Sequence, residues 1–106
     1  MRVLLDECLP RKLKFELPGH EVVTVPEAGW AGLRNGALLG LAEPLFDVFV
    51  TFDGSSQHQQ NLRAMRLAFV VLEASDNKLE TLRPLMPHVA TALQTIQAGE
   101  IAHIAL

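Results

Sequence analysis

Five short apolar runs, separated by segments with helical spacing, restrict this chain to very few folds. The runs cover residues 2–6, 20–25, 47–52, 67–72 and 101–106. Strands that alternate with helices along a chain are typical of a parallel sheet, because each parallel connection has to cross over the sheet. The sequence therefore predicts a three-layer α/β/α fold with a mostly parallel sheet of about five strands. Right-handed crossovers favour a central first strand that lies beside the third.

Four segments between the runs carry the predicted helices. In the first, leucines recur at every fourth position, which is typical of one helix face. Asn35 is expected to cap the second helix. In the last segment we expect a short helix and then a second one, with Pro84 near its start. The segments are residues 9–17, 35–42, 57–65 and 77–97.

Composition limits the classes of protein that need consideration. The length of 106 residues suits one domain over residues 1–106, and 49% hydrophobic residues allow a proper core. The net charge of −3 gives no broad basic surface for nucleic acid. The single cysteine, Cys8, excludes an intramolecular disulfide and fits a reducing compartment. With no apolar stretch of membrane-spanning length, we predict a soluble cytoplasmic protein that does not contact membranes.

Two apolar runs end on an acid. Asp6 is the last residue of the first run, and Asp53 directly follows the third. Because the carboxyl ends of parallel strands meet at one edge, we expect the two carboxylates to lie close together and to share a divalent cation. Mg²⁺ and Mn²⁺ are the metals that prefer such oxygen ligands. The alternative is structural: Asp6 caps the following helix and Asp53 forms a turn.

Polar residues near these acids are candidates for binding RNA. Arg11 and Lys12 follow Asp6 and could attract phosphate. Gln60 and Asn61 follow the third run and could contact a phosphate or a sugar. The alternative for both pairs is an ordinary solvated helix surface.

Four stretches of the sequence carry a resemblance to a known family. They are LLDECLP at 4–10, GWAGLRNGALL at 29–39, FDVFVTFD at 46–53 and QQNL at 59–62. Together they resemble a family of small bacterial PIN-like proteins of unknown function. The resemblance implies the minimal PIN fold, metal-dependent ribonuclease activity on RNA, and an antitoxin protein as partner, since many PIN relatives are toxins.

The resemblance also implies roles for particular residues. Asp6 matches the acid of the first strand, and Asp53 matches the acid of a later strand. The family suggests three or four acids, yet Ala37 stands where a further acid is usual. Removing a carboxylate should weaken the binding of a hard cation. The residues that could supply further metal ligands are Glu7, Glu43 and Asp76.

Three functional hypotheses follow. The first is a metal-dependent ribonuclease that could act as the toxin of a toxin–antitoxin pair. The second, favoured by Ala37, is a catalytically impaired PIN-like domain that acts by binding protein or RNA. The third is a receiver-like phosphoacceptor domain, against which the last strand lacks the lysine that would pair with a phosphoryl group. The apolar last strand, if it is an edge, also favours a homodimer.

Overall fold

The chain forms one parallel sheet with helices on both faces. The computed structural model describes residues 1–52 and 65–106. Its five strands are β1 (Arg2–Leu5), β2 (Glu21–Thr24), β3 (Val48–Phe52), β4 (Ala68–Leu72) and β5 (Ile101–Ile104). They have the order β2-β1-β3-β4-β5 in the sheet, and every neighbouring pair is parallel. The predicted α/β class and the internal position of the first strand beside the third are confirmed.

The helices differ from the sequence predictions in detail. Residues 9–17 contain a 3₁₀ helix, and the residue at the N-cap of the helix Asn35–Ala42 is Arg34 rather than Asn35. The last helix starts at Met86, so Pro87 rather than Pro84 is near its start. The predicted element at 57–65 lies almost wholly outside the described residues. The helices are a 3₁₀ helix (Arg11–Glu16), α1 (Asn35–Ala42), α2 (Leu79–Leu82), a 3₁₀ turn (Arg83–Leu85) and α3 (Met86–Leu93).

Both faces of the sheet are covered, which explains why its central strands are almost wholly apolar. Successive side chains of a strand point to opposite faces. On one face, Val3 and Leu5 pack in a core with residues of the 3₁₀ helix, α2 and α3. On the other, Leu4 and Phe49 pack in a second core with residues of α1. These two cores give the three layers.

The sheet order creates a switch point between β1 and β3. The chain leaves β1 toward β2 on one side, whereas it leaves β3 toward β4 on the other. The ladder between β1 and β3 continues one residue beyond β1, because the Asp6 N–H donates to the Val50 carbonyl at 2.9 Å. Ligands of open α/β sheets bind in the crevice at such a point.

Two features of the fold are relevant to the predicted partners: the position of β5 to a second copy of the chain, and the lengths of the helices to a membrane. β5 is at the edge of the sheet, as the homodimer hypothesis supposed, but pairing with a second copy stays a prediction. Within residues 1–52 and 65–106, no helix has the length and apolar character needed to cross a membrane.

Candidate functional site

Asp6 is fixed at the switch point by hydrogen bonds from two neighbouring segments. The Thr51 hydroxyl on β3 donates to Asp6 Oδ2 at 2.7 Å, and the Glu7 N–H donates to Asp6 Oδ1 at 2.8 Å. Thr51 is 3% exposed, whereas Asp6 is half-buried. Hydrogen bonds to an ionised carboxylate are short and strong. The carboxylate therefore has a defined orientation, and its remaining lone pairs can accept a further ligand.

The segment after Asp6 is fastened to two other loops at the same edge. Glu7 Oε1 accepts a hydrogen bond from the Gly32 N–H at 2.9 Å, which ties it to the loop between β2 and α1. Gly32 has φ 83°, a left-handed conformation that favours glycine. The Asn77 side-chain amide donates to the Cys8 carbonyl at 2.8 Å, which ties the loop after β4 to the same segment. Loops that follow β1, β2 and β4 thus form one connected surface.

Glu43 does not lie near Asp6. It follows the end of α1, and its Oε2 accepts a hydrogen bond from the Arg66 N–H at 2.7 Å. Arg66 precedes β4, so this contact lies at the amino edge of the sheet. Strands of four or five residues separate the two edges by about 15 Å. We therefore remove Glu43 from the candidate metal ligands.

Asp76 is at the carboxyl edge but is engaged within its own turn. Its Oδ1 accepts a hydrogen bond from the Lys78 N–H at 3.0 Å, just before α2. A hydrogen bond from the Thr81 side chain, with the Lys78 N–H second, lowers the pKa of Asp76 below its usual 3.8. A carboxylate that accepts a hydrogen bond from the N–H two residues further on forms a turn of its own. The structure therefore gives Asp76 a local role in the turn.

Of the other predicted metal ligands, the structure describes Glu7 but not Asp53, and it also places position 37. Glu7 is exposed and holds Gly32 with one oxygen, so its second oxygen remains open to a ligand. Asp53 is the residue after Phe52 and lies outside the described residues. Ala37 is exposed in the first turn of α1, at the carboxyl edge. Position 37 is therefore at the correct edge for a metal ligand, but its methyl group cannot be one.

A hard divalent cation fits the chemistry of Asp6 but does not find a complete ligand set in the described residues. Across residues 1–52 and 65–106, no three His, Cys, Asp or Glu side chains form a group that could hold a metal ion. Mg²⁺ nevertheless uses few protein ligands, often one or two carboxylates together with substrate phosphates. The oriented Asp6 carboxylate can serve as one of them.

The predicted RNA-binding residues are partly placed. Arg11 and Lys12 are exposed at the start of the 3₁₀ helix that follows Asp6, and neither makes an ion pair with a described residue. Lys14, in the same helix, is engaged with Glu27 at 2.6 Å. That hydrogen bond is the main reason why the pKa of Glu27 falls to about 2. Gln60 and Asn61 lie outside the described residues.

Two residues that hold the segment around Asp6, Thr51 and Asn77, were missed in the sequence. Thr51 is the one polar residue of the strand Val48–Phe52, which is a detectable signal because a buried hydroxyl needs a partner. Asn77 had no such signal. Its partner is a backbone carbonyl 69 positions earlier, which only the fold brings near.

Comparisons with known proteins returned no match. No family model matches the chain, and no curated protein or solved structure is significantly similar to it. The resemblance to PIN-like proteins therefore stays a prediction, and the arrangement around Asp6 is the basis for the functional argument.

Proposed function

We propose that this chain is a PIN-like, metal-dependent ribonuclease that hydrolyses phosphodiester bonds at the carboxyl edge between β1 and β3. The observation that carries the proposal is the hydrogen bond from the Thr51 hydroxyl to Asp6 Oδ2 at 2.7 Å. It fixes a carboxylate at the switch point of the sheet, next to the strand that leads into Asp53.

Asp6 and Asp53 would hold Mg²⁺ or Mn²⁺. When bound, such an ion supplies positive charge for the phosphate and lowers the pKa of a bound water. The protein contributes orientation, since Thr51 and the Glu7 N–H keep the Asp6 carboxylate in one position before any ligand arrives. This preorganisation reduces the rearrangement needed on binding.

A site with two carboxylates should bind its metal together with RNA. Phosphate oxygens of the substrate can supply the ligands that a third acid would otherwise provide. Arg11 and Lys12 are exposed on the helix after Asp6, where they can attract the phosphates on either side of the scissile bond. We expect weak Mn²⁺ binding by the free protein and tighter binding in the presence of a non-cleavable RNA.

The test is Mn²⁺-dependent cleavage of a single-stranded RNA by the purified protein. Asp6→Asn and Asp53→Asn should each lower the rate at least about a hundredfold, because both remove a charged ligand. Asp47→Asn is the matched control: Asp47 lies at the amino edge, where its Oδ2 accepts the Arg2 N–H at 2.7 Å. Full activity in the Asp6→Asn variant would refute the proposal.

The second candidate is a PIN-like domain that binds RNA or a protein partner without cleaving. Ala37, exposed in the first turn of α1, is the observation that favours it. Ala37→Asp distinguishes the two, and an acid is well tolerated near a helix N-terminus. If the nuclease proposal holds, the variant should bind Mn²⁺ more tightly without RNA. If the chain only binds, RNA association should persist in EDTA, and no variant should cleave.

A toxin role would add a small antitoxin protein as partner. Expression of a toxin should arrest growth, and Asp6→Asn should relieve the arrest if cleavage is its cause. Growth that is unaffected by the unaltered protein would argue against the toxin role while leaving the nuclease proposal to the cleavage assay.

A further inference from the structure

The outer face of α1 has an unusual composition for a helix on a protein surface. Its inner side packs against the sheet through Leu38, Leu39 and Ala42. The opposite side, which we call the α1 outer face, is exposed and has no charged or polar side chain. Surface helices normally place polar residues toward solvent, so an apolar outer side indicates that another surface covers it. The α1 outer face consists of Gly36, Ala37, Gly40 and Leu41.

Nothing in the described part of the chain requires a glycine at the centre of this face. Gly40 is in the interior of α1, where glycine is about 1 kcal/mol less favourable than alanine. A Cβ at Gly40 would meet nothing within 4 Å, and its φ is not positive. A small residue on an exposed helix face does permit close approach by a second helix. Exposed leucines continue the surface beyond the glycine: Leu41 is 45% and Leu45 is 47% exposed.

Two unpaired charges of opposite sign flank the α1 outer face. Arg34 precedes α1 and Glu43 follows it, and neither makes an ion pair with a described residue. They are nine positions apart, which corresponds to about two and a half helical turns. Arg34 and Glu43 therefore lie at opposite ends of the helix and on opposite flanks of its outer face.

We propose that the α1 outer face is the interface of a homodimer, in which α1 of a second copy packs antiparallel about a two-fold axis near Gly40. A two-fold axis that lies in the interface plane, perpendicular to the line from Arg34 to Glu43, exchanges these two positions. Arg34 of each copy is then brought over Glu43 of the other in a crossed antiparallel pair. A helix that met this face in the parallel direction would place like charges together. The occupant that matches the face is thus a copy of the same chain.

A groove beside Glu43 provides space for the incoming arginine. It has a volume of about 530 Å³ and is lined by Gly40, Glu43, Pro44 and Arg66. One oxygen of Glu43 accepts the Arg66 N–H, which leaves the other oxygen available to Arg34 of the second copy. The Arg66 side chain also borders the groove and repels the incoming arginine. We therefore expect Arg34 and Glu43 to determine the orientation of the dimer more than its affinity.

The dimer should be weak. Two crossing helices of eight residues each bury less than the roughly 1,200 Å² of a standard stable interface. We therefore expect monomers at low micromolar concentration and dimers at hundreds of micromolar. This interface is distinct from the β5 edge. It does not depend on the ribonuclease proposal, although it includes Ala37, and Ala37→Asp should weaken the dimer as well as bear on metal binding.

Sedimentation velocity over that concentration range tests the interface. Gly40→Leu should raise the dissociation constant at least tenfold, because a bulky side chain separates the helices. His88→Leu, on the exposed side of α3, is the control for added apolar surface and should leave the dissociation constant unchanged. Thermal unfolding at a concentration where the protein is monomeric should show Gly40→Leu to be at least as stable as the unaltered protein, since the site has room for a side chain.

Charge exchange tests the antiparallel arrangement. Arg34→Glu and Glu43→Lys should each weaken the dimer, and the double variant should restore it, because the two positions face each other across the interface. Glu43→Gln keeps an acceptor for the Arg66 N–H while it removes the charge, and should weaken the dimer without changing the melting temperature of the monomer. A monomer at every concentration, or a dimer that none of these variants affects, would overturn the proposal.

Discussion

Replacing Thr51 by valine tests whether the arrangement around Asp6 is a specific, energetically important contact. Valine has the shape of threonine but no hydroxyl, so the hydrogen bond of 2.7 Å to Asp6 Oδ2 is lost while the strand stays packed. A hydrogen bond to a charged group contributes about 1.5–3 kcal/mol. Asp6 is half-buried, so water can replace part of the lost contact. We expect Thr51→Val to lower the free energy of unfolding by about 1–2 kcal/mol.

Urea unfolding of a double-mutant cycle measures the contact itself. The cycle comprises Thr51→Val, Asp6→Ala and the double variant, and we expect a coupling energy of about 1–2 kcal/mol between the two positions. On heating, Thr51→Val should lower the melting temperature by about 4–8 °C for each kcal/mol lost in a domain of this length. Mn²⁺ affinity should also fall, because the Asp6 carboxylate loses its fixed orientation.

Thr51→Ser is the matched control. Serine keeps the hydroxyl and loses one buried methyl group, which costs about 0.8 kcal/mol. The Ser variant should therefore lose about 0.8 kcal/mol of stability but keep both the coupling to Asp6 and the Mn²⁺ affinity. If the losses of unfolding free energy in Thr51→Val and Asp6→Ala sum to that of the double variant within about 0.3 kcal/mol, the two side chains are not coupled. The interpretation that Thr51 holds Asp6 in place would then be refuted.

Three further predictions concern other parts of the described chain. The pKa of Glu27 is about 2 in the folded state against an ordinary 4.5, so its contact with Lys14 stabilises the protein above pH 4.5, and this stabilisation is lost as the pH falls toward 2. Lys14→Met should bring the pKa of Glu27, measured by NMR titration, back toward 4.5. An unchanged titration would show that Lys14 does not lower the pKa. Glu7→Gln keeps a side-chain oxygen that can accept the Gly32 N–H, whereas Glu7→Ala removes it. The fluorescence of the single tryptophan, which lies in the same loop as Gly32, should therefore be preserved in the first variant and changed in the second. Equal spectra for the two variants would show that this hydrogen bond does not fix the loop. Leu4 of β1 is fully buried in the core that includes residues of α1, so Leu4→Ala should lower the free energy of unfolding in urea by about 2–5 kcal/mol. A loss below about 1 kcal/mol would contradict close packing on that face.

The sheet order does not by itself select a function. The order β2-β1-β3-β4-β5 is also that of receiver domains, which the sequence raised as an alternative. A fold hosts many activities, so function has to be argued from the site. Ile101–Ile104 and the two residues after it contain no lysine that could pair with a phosphoryl group on Asp53. If a phosphodonor labels Asp53, the receiver domain would be favoured over the nuclease.

The fold class could be predicted from the sequence because it depends on local patterns. Apolar runs of strand length separated by helical spacing specify a parallel sheet, and they specify it whatever the neighbouring side chains are. The position of Asp6 at the carboxyl edge followed from the same pattern, since a residue directly after a strand must lie at the edge where that strand ends.

Only the tertiary structure decided which side chains meet. Asp6 and Thr51 are 45 positions apart, and their contact depends on the register between β1 and β3, which no local pattern encodes. Glu43 was a reasonable ligand in the sequence, but the direction of α1 carries it to the opposite edge. Local periodicity sets which elements form, whereas contacts between distant residues depend on how those elements pack, and the candidate site consists almost entirely of such contacts.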